Sequence, residues 1–127
     1  MKTYTGLNIQ YPISQSILDG SKTIETRTYP LPERLKDVEI LMVETPGKTG
    51  KFKSRIVAKI TFSSSFKYKS KKEFHEDFKK HKVDPKSEWD WKEKSKWGWI
   101  IKNVEILIPP RPLKKRLGII YTNGLQI

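Results

Sequence analysis

The stretch Gly20-Ser21-Lys22-Thr23-Ile24-Glu25-Thr26-Arg27 marks a change of hydrophobic period that constrains the fold more than any other feature of the chain. Upstream of it, Pro12 suits a first helical turn, and Ile13, Ile17 and Leu18 recur at helical spacing. Asp19-Gly20 ends that helix, because glycine accepts the left-handed backbone that commonly closes one. From Lys22 the period is two. That places Thr23, Glu25 and Arg27 on one face of a strand and Lys22, Ile24 and Thr26 on the other. Charges of both signs so close together, directly after a helix end, fit the wall of a site better than the inside of a core.

The rest of the chain reads mostly as strands. Leu7 and Ile9 are the inward residues of a first strand, and 37–44 is a buried one. Residues 52–62 alternate, with Ile56, Ala58 and Ile60 on one face and Arg55, Val57 and Lys59 on the other. The turn residues Pro46-Gly47-Lys48-Thr49-Gly50 join these two runs as an antiparallel hairpin. That turn is not a phosphate loop, since the upstream glycine is missing and a strand follows where a helix is required. Phe74 and Phe78 pin an amphipathic surface helix over 71–81, with His75 and His81 read as surface residues. Trp97-Gly98-Trp99 opens a strand that sends both rings to one face, and Pro109, Pro110 and Pro112 lead the chain out of the sheet. A final strand follows at 117–121. One domain over 1–127 is expected, an α+β arrangement of five to seven mostly antiparallel strands forming a closed or nearly closed small β-barrel with two or three short helices at its rim.

Net charge matters less than where it lies. Of the formal +12, none of the excess comes from 1–44 or 73–105, which are close to neutral. Residues 45–72 carry nine basic side chains and no acid, and four more follow Glu105, again without an acid. Two acid-free blocks are the distribution of a polyanion-binding face. Zero cysteines exclude disulfides, thiolate catalysis and cysteine-based zinc sites, and two histidines leave little for a metal centre, so neither metal nor cofactor is expected. No apolar run is long enough to cross a bilayer and the first residues lack a signal-peptide core, so a cytoplasmic chain with no membrane partner is expected; protein partners stay open.

Gly20, Lys22, Glu25 and Arg27, glycine then Lys-x-x-Glu-x-Arg after a short helix, resemble the signature of ASCH domains, small β-barrel modules related to the PUA RNA-binding fold. The Lys96-Trp97-Gly98-Trp99 segment matches more loosely. The resemblance implies a PUA-like barrel and a cleft beside this strand for RNA or a modified nucleotide. On that reading Lys22, Thr23, Glu25 and Arg27 line the cleft, Lys51, Lys53 and Arg111 meet phosphates, and Trp97 or Trp99 stacks a base. The alternative is a small hydrolase acting on acylated nucleosides or on RNA. Some ASCH members resemble amidohydrolases that deacetylate acetylcytidine with a lysine and a threonine of this strand and a distant glutamate. Lys22 stands at the lysine's place and Glu25 at the threonine's, with Glu73, Glu76 and Glu88 as the glutamate candidates. Catalysis would then fall to Lys22 and Glu25.

Overall fold

The computed structural model describes residues 2–92 and 95–127. Six strands, β1 (Tyr4–Gln10), β2 (Ile24–Arg27), β3 (Glu39–Thr45), β4 (Arg55–Lys67), β5 (Trp97–Pro112) and β6 (Tyr121–Leu125), make one mixed sheet in the order β2-β5-β4-β3-β1-β6. Among these strands β1 and β3 run parallel, and every other neighbouring pair is antiparallel. Three short helices decorate the sheet: α1 (Ile13–Leu18), α2 (Lys71–Glu76) and α3 (Phe78–His81). No described helix is long and apolar enough to cross a membrane.

The α+β architecture is the expected one, but the sheet does not close. Strands β2 and β6 remain edges, and among the described residues no ladder joins β2 to β1 or β6. The sheet nevertheless curls until the Arg27 guanidinium reaches the carbonyl of Asn8 at 3.1 Å. A side chain thus crosses the seam where a closed barrel would have backbone hydrogen bonds.

The curled face holds the main core, including Leu7, Ile9, Ile17, Met42, Ala58, Ile60, Phe62 and Trp99, all at most 2% exposed. Each large apolar side chain among them contributes roughly 1.5–3 kcal/mol of burial energy. Helix α1 packs Ile17 into it and is pinned from below by Glu44, a fully buried carboxylate at the end of β3. Glu44 accepts from Ser14 Oγ (2.5 Å), Gln15 Nε2 (2.7 Å) and Arg55 Nε (3.0 Å). The helix closes as its sequence requires, with Gly20 at φ +84°.

Local expectations are corrected at four places. β4 does not stop at Phe62 but continues to Lys67, and β5 continues through its prolines. The latter works because the β4–β5 register jumps between Ala58↔Ile106 and Ile56↔Arg111, so Pro109 and Pro110 fall in a bulge that needs no ladder N–H. The single helix over 71–81 is two, broken at Asp77, whose carboxylate accepts from the Tyr68 hydroxyl at 2.6 Å. The last strand starts only at Tyr121, which leaves 117–120 as a loop along the seam.

Candidate functional site

The open seam is a cleft of about 730 Å³. Its floor comes from β2 and the turn before it, one wall from β1 and the 117–120 loop, and the other from the segment after α3. Three charged side chains converge on it. Lys22 is 3% exposed and Glu25 6%, with Arg27 half-buried beside them. Glu25 Oε2 accepts from Arg27 Nη2 (2.8 Å) and Nε (3.2 Å), while Oε1 takes only the Thr26 N–H at 3.3 Å and lies 3.5 Å from Lys22 Nζ. Lys22 Nζ donates to the His81 carbonyl at 2.5 Å.

Electrostatics follow from this arrangement. Burial pushes the Lys22 ammonium below the usual lysine value, with Glu25 opposing it only in part. Burial would raise the Glu25 carboxyl, but Arg27 and Lys22 outweigh it and hold the group below its ordinary range. On Arg27 burial acts downward and Glu25 upward, and the carboxylate wins. The floor of the cleft is therefore a carboxylate fixed between two cations, retaining one acceptor position on Oε1 and unused Lys22 protons.

His81 supports this floor from behind. It is fully buried, its ring stacked on Phe74 at 4.2 Å. Val83 N–H donates to Nδ1 at 3.0 Å, so Nε2 carries the proton and donates to the Phe74 carbonyl at 2.6 Å. That neutral tautomer fixes the backbone carbonyl that holds Lys22.

No protein-family model matches the sequence, and no curated protein does either. Solved structures do superpose on it. The crystal structure of ASCH from Zymomonas mobilis aligns at TM-score 0.72 and 13% identity, covering 96% of this chain and 87% of that one. A tyrosine-to-phenylalanine variant of that protein gives 0.69 at 12% identity and a serine-to-alanine variant 0.66 at 11%, each over 96% of this chain and over 89% and 87% of theirs. The chain has an ASCH-like fold. At such identities the likeness is one of architecture alone.

Lys22, Glu25 and Arg27 meet in that cleft, though not by simple alternation. β2 begins only at Ile24, so Lys22 sits in the preceding turn and its side chain comes round to Glu25, while Thr23 stays exposed and does not border the cleft. Trp99 is fully buried, in edge-to-face contact with Phe62 (5.4 Å) and Tyr29 (5.7 Å), its indole N–H donating to the Tyr29 carbonyl at 3.0 Å. No face of it is open to a base. Trp97 is half-buried against the same core, because both rings share the inner face of β5. Lys53 and Arg111 line a separate shallow cavity of about 400 Å³ at the Arg55–Pro112 end of the β4–β5 ladder, and Lys51 is exposed in the hairpin turn. None of the nine cations of 45–72 borders the cleft.

Other residues take those places. Trp89, 43% exposed, is an aromatic at the cleft together with the half-buried Tyr29, and Lys82, Asp84 and Lys96 are its further charged groups. Exposed Leu117, Ile119 and Ile120 form an apolar lip. His81, read as a surface residue, is buried. Trp89 and Lys96 flank a connection without periodicity, so pattern alone gave no reason to choose them.

Proposed function

We propose that the cleft binds one nucleotide unit, of RNA or of a modified nucleoside. The observation that carries this is the pairing of Lys22 as donor with Glu25 Oε1 as acceptor, 3.5 Å apart on the cleft floor. The Watson–Crick edge of each base presents a donor beside an acceptor, and such edges are read by side chains when a base is unstacked. Arg27 is held by Glu25 and Asn8 and orients the carboxylate. Trp89 supplies a stacking face, and Ile119 adds apolar surface to the same cleft. A volume near 730 Å³ is in the range of ligand pockets. Kinship of the ASCH architecture with the PUA RNA-binding fold favours RNA as the source of the base.

Anisotropy titrations with labelled single-stranded RNA test this. Loss of Trp89 as alanine should weaken binding by roughly 1–3 kcal/mol, the contribution of one base–aromatic stack. Identical affinities for wild type and variant would sink the proposal.

A hydrolase reading rests on one observation, the depressed basicity of buried Lys22. Against it, Glu25 replaces the threonine of the amidohydrolase set, and Glu73, Glu76 and Glu88 do not border the cleft. Chromatography after incubation with acetylcytidine decides: acetate release abolished by Lys22→Met would put catalysis ahead of binding.

A further inference from the structure

Lys96 is the buried cation for which the base-reading scheme has no use. It is 8% exposed and borders the cleft. Its backbone is held by the Tyr68 N–H, which donates to its carbonyl at 2.9 Å, and its ammonium lies 6.0 Å from the centroid of the buried Phe74 ring. Lys22, by contrast, has the His81 carbonyl and Glu25 to balance it. Among the described residues no carboxylate lies within salt-bridge distance of Lys96 and no acceptor takes its protons. Burial, with Lys92 and Lys22 nearby, outweighs the more distant Glu25 and Asp90 carboxylates and holds its ammonium below the usual lysine value.

A buried cation with no carboxylate in contact is costly, and a ligand anion is the simplest compensation. The inner cleft shows how much charge is missing. Lys22, Arg27 and Lys96 face one carboxylate, Glu25, while Lys82 and Asp84 at the exposed rim offset each other. Among the described residues that line the cleft, two positive charges are left over. A phosphomonoester carries about −1.5 to −2 near neutral pH and matches that excess, whereas an internal phosphodiester supplies a single charge.

We infer that Lys96 seats a phosphomonoester, so that the cleft takes a nucleoside monophosphate or a phosphorylated RNA end in preference to an unphosphorylated nucleoside or an internal stretch of chain. This rests on the nucleotide reading above. Glu25 and Lys22 read the base, Trp89 stacks it, and Lys96 receives the phosphate.

Isothermal titration calorimetry tests it with cytidine and adenosine, their 5′- and 3′-monophosphates, and a short RNA with and without a terminal phosphate. The phosphorylated member of each pair should bind roughly ten- to a hundredfold more tightly, as expected for a charge-assisted contact in a buried site. Lys96→Met should erase that preference while leaving nucleoside affinity in place, and Lys96→Arg should restore most of it. The mononucleotide and RNA arms show which source of the phosphomonoester fits. Equal affinity with and without phosphate in the wild type, or a preference that survives Lys96→Met, overturns the role of Lys96 and leaves base recognition standing. Absence of binding by all probes removes the nucleotide reading itself. Should Lys96→Met fail to fold, wild-type titrations in buffers of different ionisation enthalpy replace it. Proton uptake that grows as the pH is raised, with phosphorylated probes only, is the expected result, and equal uptake with both kinds overturns the assignment.

Discussion

Arg27→Met keeps the aliphatic stem of the side chain and removes its charge. Three hydrogen bonds go with it: two to Glu25 Oε2, at 2.8 and 3.2 Å, and the one to the Asn8 carbonyl at 3.1 Å that spans the seam. Glu25, 6% exposed, is left with Lys22 at 3.5 Å as its counter-charge. Stripping one partner from a buried pair costs about 3–5 kcal/mol. With an unfolding entropy of roughly 2.1 cal/mol/K per residue, that corresponds to a fall in Tm of about 10–20 °C for a chain of this length. The loss should also depend on pH. The Glu25 carboxyl is held below its ordinary value of 4.5, so in the wild type its contribution is complete above that value and is lost as pH falls through the lower folded one. In the variant burial is opposed only by Lys22 and the Thr26 N–H, and the carboxyl takes up a proton earlier on acidification. The difference between the two proteins therefore narrows from pH 7 to pH 4. The double change Glu25→Gln with Arg27→Met should cost less than Arg27→Met alone, since the buried carboxylate is then gone as well. Thermal melts followed by circular dichroism measure all three proteins. A penalty below about 1 kcal/mol that is the same at both pH values would show that the pair behaves as a solvated surface contact, and that no buried carboxylate is clamped between cations on the cleft floor.

Trp99→Ala should destabilise the fold by about 3–5 kcal/mol in chemical denaturation, whereas Trp89→Ala should stay within roughly 0.5 kcal/mol, because only the first ring fills core. The reverse order would exchange their roles. His81 sets a second pH response: burial holds it neutral below its ordinary value of 6.5, so on acidification through that value the unfolded chain binds a proton that the folded one does not, and stability falls. Urea midpoints between pH 7 and pH 5 should slope less in His81→Gln than in the wild type; equal slopes would refute a buried neutral ring.

Much of the local structure was legible from covalent spacing. The helix over Ile13–Leu18, its closure at Gly20, the β3–β4 hairpin and the burial of Phe74 all follow from periods of 3.6 and 2 and from the backbone preferences of glycine and proline. Spacing also singled out Lys22, Glu25 and Arg27. It misjudged how they meet, because alternation holds only inside a strand and Lys22 lies just before one. The tryptophans show the same boundary: Trp97 and Trp99 do share a face, but composition has no means of saying which face is the core.

Charge was the weaker guide. The acid-free block at 45–72 is plain in the sequence, yet its lysines project elsewhere, and the cations that border the cleft come from segments that looked neutral because each carries acids nearby. Net charge along a chain averages over directions in space; a site selects among them.

From its residues alone, then, the chain specifies the first helix and its end, its strand faces and the charged triplet that follows, since these depend on neighbours a few residues apart. The seam is another matter. Asn8 hydrogen-bonds to Gly118 across 110 residues, Lys22 to His81 across 59, and Arg27 to Asn8 across 19. Such contacts exist only once the sheet has curled and its edges face one another, and no local period carries information about that approach.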